Sequence, residues 1–154
     1  MLAFTGYDWI KAFHIFLAVV WVGGAVMINL LALFALRSLL PGRKAEFARE
    51  AAWVGTRIFT PASFALLALG FWMIYDLDWG YPLWIVLGLV AFGLSFLLGV
   101  AYLGPQSAKT ARVIEQYGPD SPEATTQIRR VVTVARLDLV ILVFAVFDMV
   151  LKPT

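Results

Sequence analysis

Apolar residues run along the chain in four long stretches separated by shorter polar ones. That pattern predicts an all-α membrane protein, a bundle of four transmembrane helices in a single domain spanning residues 1–154. A helix needs roughly 20 mostly apolar residues to cross about 30 Å of hydrocarbon. The first stretch runs from about Trp9 to Leu36 and carries Lys11, His14 and Asn29. The second runs from about Trp53 to Tyr75, with Arg57 near its start and Pro61 one turn later. The third, about Pro82 to Leu103, has no charged residue, whereas the fourth, about Val131 to Leu151, holds Arg136, Asp138 and Asp148. The first stretch is too long for a signal-peptide core and is preceded by Asp8 rather than a basic cluster, so it is read as a retained span.

Composition agrees. Hydrophobic residues make up 62% of the chain and charged residues 14%, against about half and about a quarter in soluble domains. With no cysteine, the chain by itself carries no disulfide, thiolate metal site or iron–sulfur cluster. A net charge of +2 gives no reason to expect nucleic acid. The charge instead reports topology. Of the twelve Lys and Arg, all but Lys11 and Lys152 lie on the side of the two large connections, residues 37–52 and 104–130. The positive-inside rule then puts those loops in the cytoplasm of a bacterial inner membrane and both termini outside. Tyr7, Trp9, Trp72, Tyr75, Trp79, Tyr81 and Trp84 gather at the outer ends, as an interfacial aromatic belt does.

Small residues suggest how the helices pack. Ala18, Ala25 and Ala32 share a helical stripe with His14 and Trp21, which points His14 into the bundle. Ala91, Ser95 and Gly99 form a second small-residue stripe. Ser121-Pro122-Glu123 reads as a helix start, with Ser as cap and Pro in the first turn.

Ionisable residues within a span are costly and so are candidate functional groups. On the loop side, Arg57, Arg136 and Asp138 are read as a structural charge cluster locking helices two and four. On the outer side, His14 (the sole histidine) lies level with Asp148, Met73 and Met149, with Lys11, Asp76 and Lys152 close by. Asp148 and Lys152 are spaced to pair along one helix face. Asp148 and Met149 are adjacent in sequence and are not expected to face one point. Three readings of the outer set follow. His14 joins helices by bonding Asp148 or a backbone carbonyl. Alternatively, it ligates haem b, with Met73 or Met149 or an open position opposite. In the third reading, His14 and the methionines hold Cu(I).

Trp9-Ile10-Lys11-Ala12-Phe13-His14-Ile15 with Trp21-Val22-Gly23-Gly24, and the ending Arg136-Leu137-Asp138 … Asp148-Met149-Val150-Leu151-Lys152-Pro153, resemble a family of four-span predicted integral membrane proteins built on a domain of unknown function. That family is distantly similar to HemJ-type protoporphyrinogen oxidases and the CopD membrane domain. The resemblance implies a haem contact at His14. HemJ-type enzymes carry a basic residue early in the third span. The matching stretch here, Pro82-Leu83-Trp84-Ile85-Val86-Leu87, has none, so the oxidase activity is not carried over. The expected function is a membrane protein that binds haem or takes part in redox chemistry through His14, without independent enzymatic activity. The alternatives are an accessory subunit, as a homo-oligomer or within a larger complex, and a copper-handling component.

Overall fold

The computed structural model describes residues 5–40, 42–78 and 80–153; of the expected aromatic belt, Trp79 lies outside them. The described residues form helices and connecting turns, with no strand. Helix α1 covers Gly6–Arg37. Helices α2 (Arg43–Val54) and α3 (Thr60–Asp76) are joined by a π-helical turn, Gly55–Phe59. Helices α4 (Leu83–Leu97) and α5 (Gly104–Tyr117) are joined by a second, Leu98–Leu103. Each pair is therefore one continuous rod. Helix α6 covers Pro122–Leu151.

Local chemistry sets the ends. Thr5 caps α1 in a capping box, donating its backbone N–H to Asp8 and accepting from the Asp8 N–H. Gly42, at φ 80°, leads into α2, and Gly118, at φ 91°, closes α5, both in backbone regions that glycine enters without a Cβ penalty. Ser121 Oγ accepts the Ala124 N–H at 3.1 Å, and Pro122 opens α6 as the sequence predicts. Ser121→Ala is expected to destabilise the fold by about 1 kcal/mol, read as a lowered thermal midpoint by circular dichroism in detergent.

The long connections are not loops. Residues 43–54 and 104–117 are helical and continue the spans beyond their apolar segments. The reason is amphipathicity. Ala45, Ile114 and Ala124 are buried together where α2, α5 and the start of α6 meet. The charges face outward and pair as Arg43–Glu46, Lys44–Asp120 and Arg49–Glu115. A reading based on mean apolarity ends each span where these charges begin.

Three of the four rods, Gly6–Arg37, Arg43–Asp76 and Leu83–Tyr117, are long and apolar enough to cross a membrane. Helix α6 is as long, but Arg136, Asp138 and Asp148 interrupt its apolar stretch. Neighbouring rods run antiparallel. His14 of α1 lies against Gly70 of α3, and Gly24 lies against the ring of Phe59. Gln127 of α6 bonds Gln106 of α5 at 2.7 Å, Asp138 faces Ser95, and Asp148 and Met149 lie against Gly88. The start of α1, the end of α3, the start of α4 and the end of α6 thus share one end of the bundle, the terminal end. The end of α1, the start of α2, the end of α5 and the start of α6 share the loop end. Trp21, Leu66 and Leu142 form the central core, with Phe59, Phe92 and Phe96 around it.

Candidate functional site

The two π turns arise from one local pattern. Gly55 precedes Pro61 by the same spacing as Gly99 precedes Pro105. A helical proline has no N–H to offer and its ring presses on the carbonyl one turn back. The turn before each proline widens. The Thr60 N–H reaches the Gly55 carbonyl, and the Gly104 N–H reaches that of Gly99. The two widened turns lie against each other in the bundle. Between them and α1 and α6 is a cavity of about 140 Å³. Its apolar walls include Trp21 and Phe59, and its polar lining is Asn29, Thr60, Ser63, Ser95, Ser107 and Asp138. Such π turns recur at functional sites.

Most of this polar lining presents hydrogen-bond acceptors. Asn29 Nδ2 donates to the Ala25 carbonyl at 2.9 Å. Thr60 Oγ1 donates to the Gly55 carbonyl at 3.0 Å, and Ser63 Oγ to the Thr60 carbonyl at 2.7 Å. With those protons turned back onto the helices, the oxygens keep lone pairs for the cavity. Asp138 is 8% exposed and is the cavity's one ionisable side chain among the described residues. Ser95 Oγ faces its carboxylate, yet no hydrogen bond closes between them, and Asp138 Oδ1 has no partner. A buried charge without a partner is expensive. A site of this kind suits a cation or a strong donor.

The residues expected to form a site divide differently. Arg57 and Arg136 are exposed, and no ion pair among the described residues joins them to Asp138. The Asp148 carboxylate is 4% exposed and neither oxygen has a partner. Lys152 does not bond it; its ammonium lies over the Trp84 ring, 5.1 Å from the centroid. Asp148 and Met149 do reach one point, contrary to the expectation from their adjacency. Gly88 has no side chain, so the α4 backbone leaves a notch that takes the Met149 methyl, with Asp148 Oδ2 beside it.

The His14 ring fills a similar notch at Gly70, its Cε1 3.2 Å from where a Gly70 Cβ would stand. It faces the Leu66 carbonyl, while Nδ1 is enclosed and unpartnered. No hydrogen bond joins His14 to Asp148. Met73 is half-buried on α3, and neither it, Met149 nor His14 lines the cavity. Lys11 and Asp76 are exposed. A haem iron on His14 would need the α1–α3 seam to part at Gly70, since the ring now occupies that space.

From the sequence, Asp138 is expected in a charge cluster, and Thr60, Ser63 and Ser107 carry no expected role. The repeated glycine–proline spacing was the available signal.

Rods of this length and apolarity define an all-helical integral membrane protein with a polar cavity among its helices. Its sequence from residue 8 to residue 153 matches the family described as predicted integral membrane protein (DUF2269), and the chain belongs to that family. No curated protein and no solved structure matches it, so the similarity to HemJ-type oxidases and CopD has no counterpart in these comparisons.

Proposed function

We propose that this is a four-span protein of the bacterial cytoplasmic membrane that binds a small monovalent cation in the cavity at Asp138. The observation that carries the reading is a buried carboxylate with one oxygen unpartnered, facing a cavity whose other polar walls are mostly acceptors. The four-span topology is supported by the pairing of α6 with α4–α5. Contacts run from Gln106 with Gln127 to Gly88 with Asp148, so α6 accompanies an apolar rod along its length. The basic connections then face the cytoplasm.

Trp21 lines the cavity and serves as a reporter. Its fluorescence is to be titrated in detergent with sodium, potassium and ammonium chlorides, with choline chloride as the ionic-strength control. A saturable change with at least one small cation is expected, lost in Asp138→Asn and in Trp21→Phe. An identical response to choline, or one that persists in Asp138→Asn, overturns the reading.

A second reading keeps haem or copper on His14. Its unpartnered Nδ1 favours this. The visible spectrum of protein expressed with adequate haem decides the haem case. A Soret band lost in His14→Ala supports it, and a colourless protein removes it.

A further inference from the structure

We infer that the buried polar groups of this bundle form a gated proton path across it, closed at the Trp21–Leu66–Leu142 septum. The buried side-chain nitrogen and oxygen atoms without a partner, among the described residues, belong to His14, Ser95, Asp138 and Asp148. They are not scattered. Asp138 and Ser95 lie on the loop side of the septum, in the cavity. His14 and Asp148 lie on the terminal side, in the notches at Gly70 and Gly88. Leu142, 2% exposed, stands one turn from Asp138 toward Asp148. Beyond Asp138, toward the loop end, the Gln106–Gln127 amide pair closes the α5–α6 seam. From Gln127 to Asp148 the buried polar side chains of α6 span about 31 Å at ~1.5 Å per residue, close to the thickness of the hydrocarbon.

Two enclosed carboxylates on opposite sides of a dry barrier are what proton transfer between two waters requires. Hydronium on the terminal side gives a proton to Asp148: one O–H bond breaks in hydronium and one forms on the carboxylate. When water crosses the septum, Asp148 passes that proton along the water to the Asp138 carboxylate. Asp138 then returns it to water in the cavity. No electron moves, and each carboxylate ends as it began. The groups facing these carboxylates leave them available. Ser95 meets Asp138, and among the described residues no second ionisable side chain lines its cavity. Gly88 and Met149 meet Asp148, while Lys152, the C-cap of α6, lies over the Trp84 ring. His14 lies on the same terminal side with its Nδ1 enclosed, and Lys11 and Asp76 there are exposed. The buried side chains of the septum, Trp21, Leu66 and Leu142, are apolar apart from the indole N–H, and an apolar constriction of this kind holds water out.

The path can be opened by thinning the septum. The full chain is reconstituted in phosphatidylethanolamine–phosphatidylglycerol vesicles holding a trapped pH dye, and proton entry is driven by a potassium gradient with valinomycin. Leu142→Ala is expected to raise the proton flux about tenfold or more over the native chain. Adding Asp138→Asn or Asp148→Asn should return it to the native level. Leu66→Ala opens the same septum and replaces Leu142→Ala if that variant fails to fold. Native-level flux in a folded septum variant overturns the path, as does raised flux that ignores both Asp→Asn changes. The inference rests on Asp138 being the cavity's charged group, but it fails separately from the cation site. Carboxylate-dependent flux without any cation response at Trp21 supports the path and removes the site.

Discussion

Trp21→Ala is expected to lower the stability of the bundle by about 3 kcal/mol, the low end of the range for losing a buried tryptophan. Trp21 is 8% exposed and stands where α1, α3, α4 and α6 converge. Its ring meets Phe92 edge-on with centroids 4.9 Å apart, and Phe92 stacks on Phe96. Truncation leaves those rings with nothing opposite, in a layer where the helices have no water to collapse against. The low end applies because the alternative to protein contact in a membrane is lipid, so packing is lost rather than transfer from water. Trp72 provides the comparison. It is 51% exposed at the terminal end, and Trp72→Ala should change stability by less than about 0.5 kcal/mol. Thermal melts followed by circular dichroism in one detergent measure both. Equal midpoints for the two variants would contradict a core centred on Trp21.

Asp138→Leu should act in the opposite direction, stabilising the protein while abolishing its response to cations. An enclosed carboxylate oxygen without a partner costs about 1–3 kcal/mol. Leucine removes that cost and fills part of the cavity beside Ser95 and Ala135, both of which line it. The expected result is a raised midpoint in salt-free buffer with a flat Trp21 titration. Added cation should narrow the gap, because a ligand bound to the native chain stabilises it and not the variant. A midpoint below that of the native chain in every buffer would mean that the carboxylate is held by groups other than those described.

Much of the bundle is legible in the sequence, for physical reasons that also explain what is not. The stripe of His14, Ala18, Trp21 and Ala25 points inward as its spacing requires, because small residues let α1 approach its neighbours. The amphipathic helices α2 and α5 are harder to see. Charges and alanines alternate there at helical spacing, and a hydropathy average records only the charges. The site is harder still. Asp138 stands two residues from Arg136, which invites an ion pair; on a helix, that spacing puts the two side chains on different faces, one buried and one exposed. The meeting of Asp148 with Met149 depends on a glycine in another helix, Gly88, so neither residue announces it. The cavity depends on how two distant glycine–proline segments pack together.

Those widened turns have a consequence for how the molecule could be altered. A π turn carries one residue more than regular helix would use over the same height. Each rod is therefore out of phase across its turn by one residue, about 100° of rotation. Deleting a single residue between Gly55 and Pro61 in one rod, or between Gly99 and Pro105 in the other, would let the helix run straight. It would also turn the charged face of α2 or α5 away from its partners at the loop end. The hollow at Asp138 and the salt bridges beyond it therefore share one extra residue per rod. Neither can be edited by length without disturbing the other.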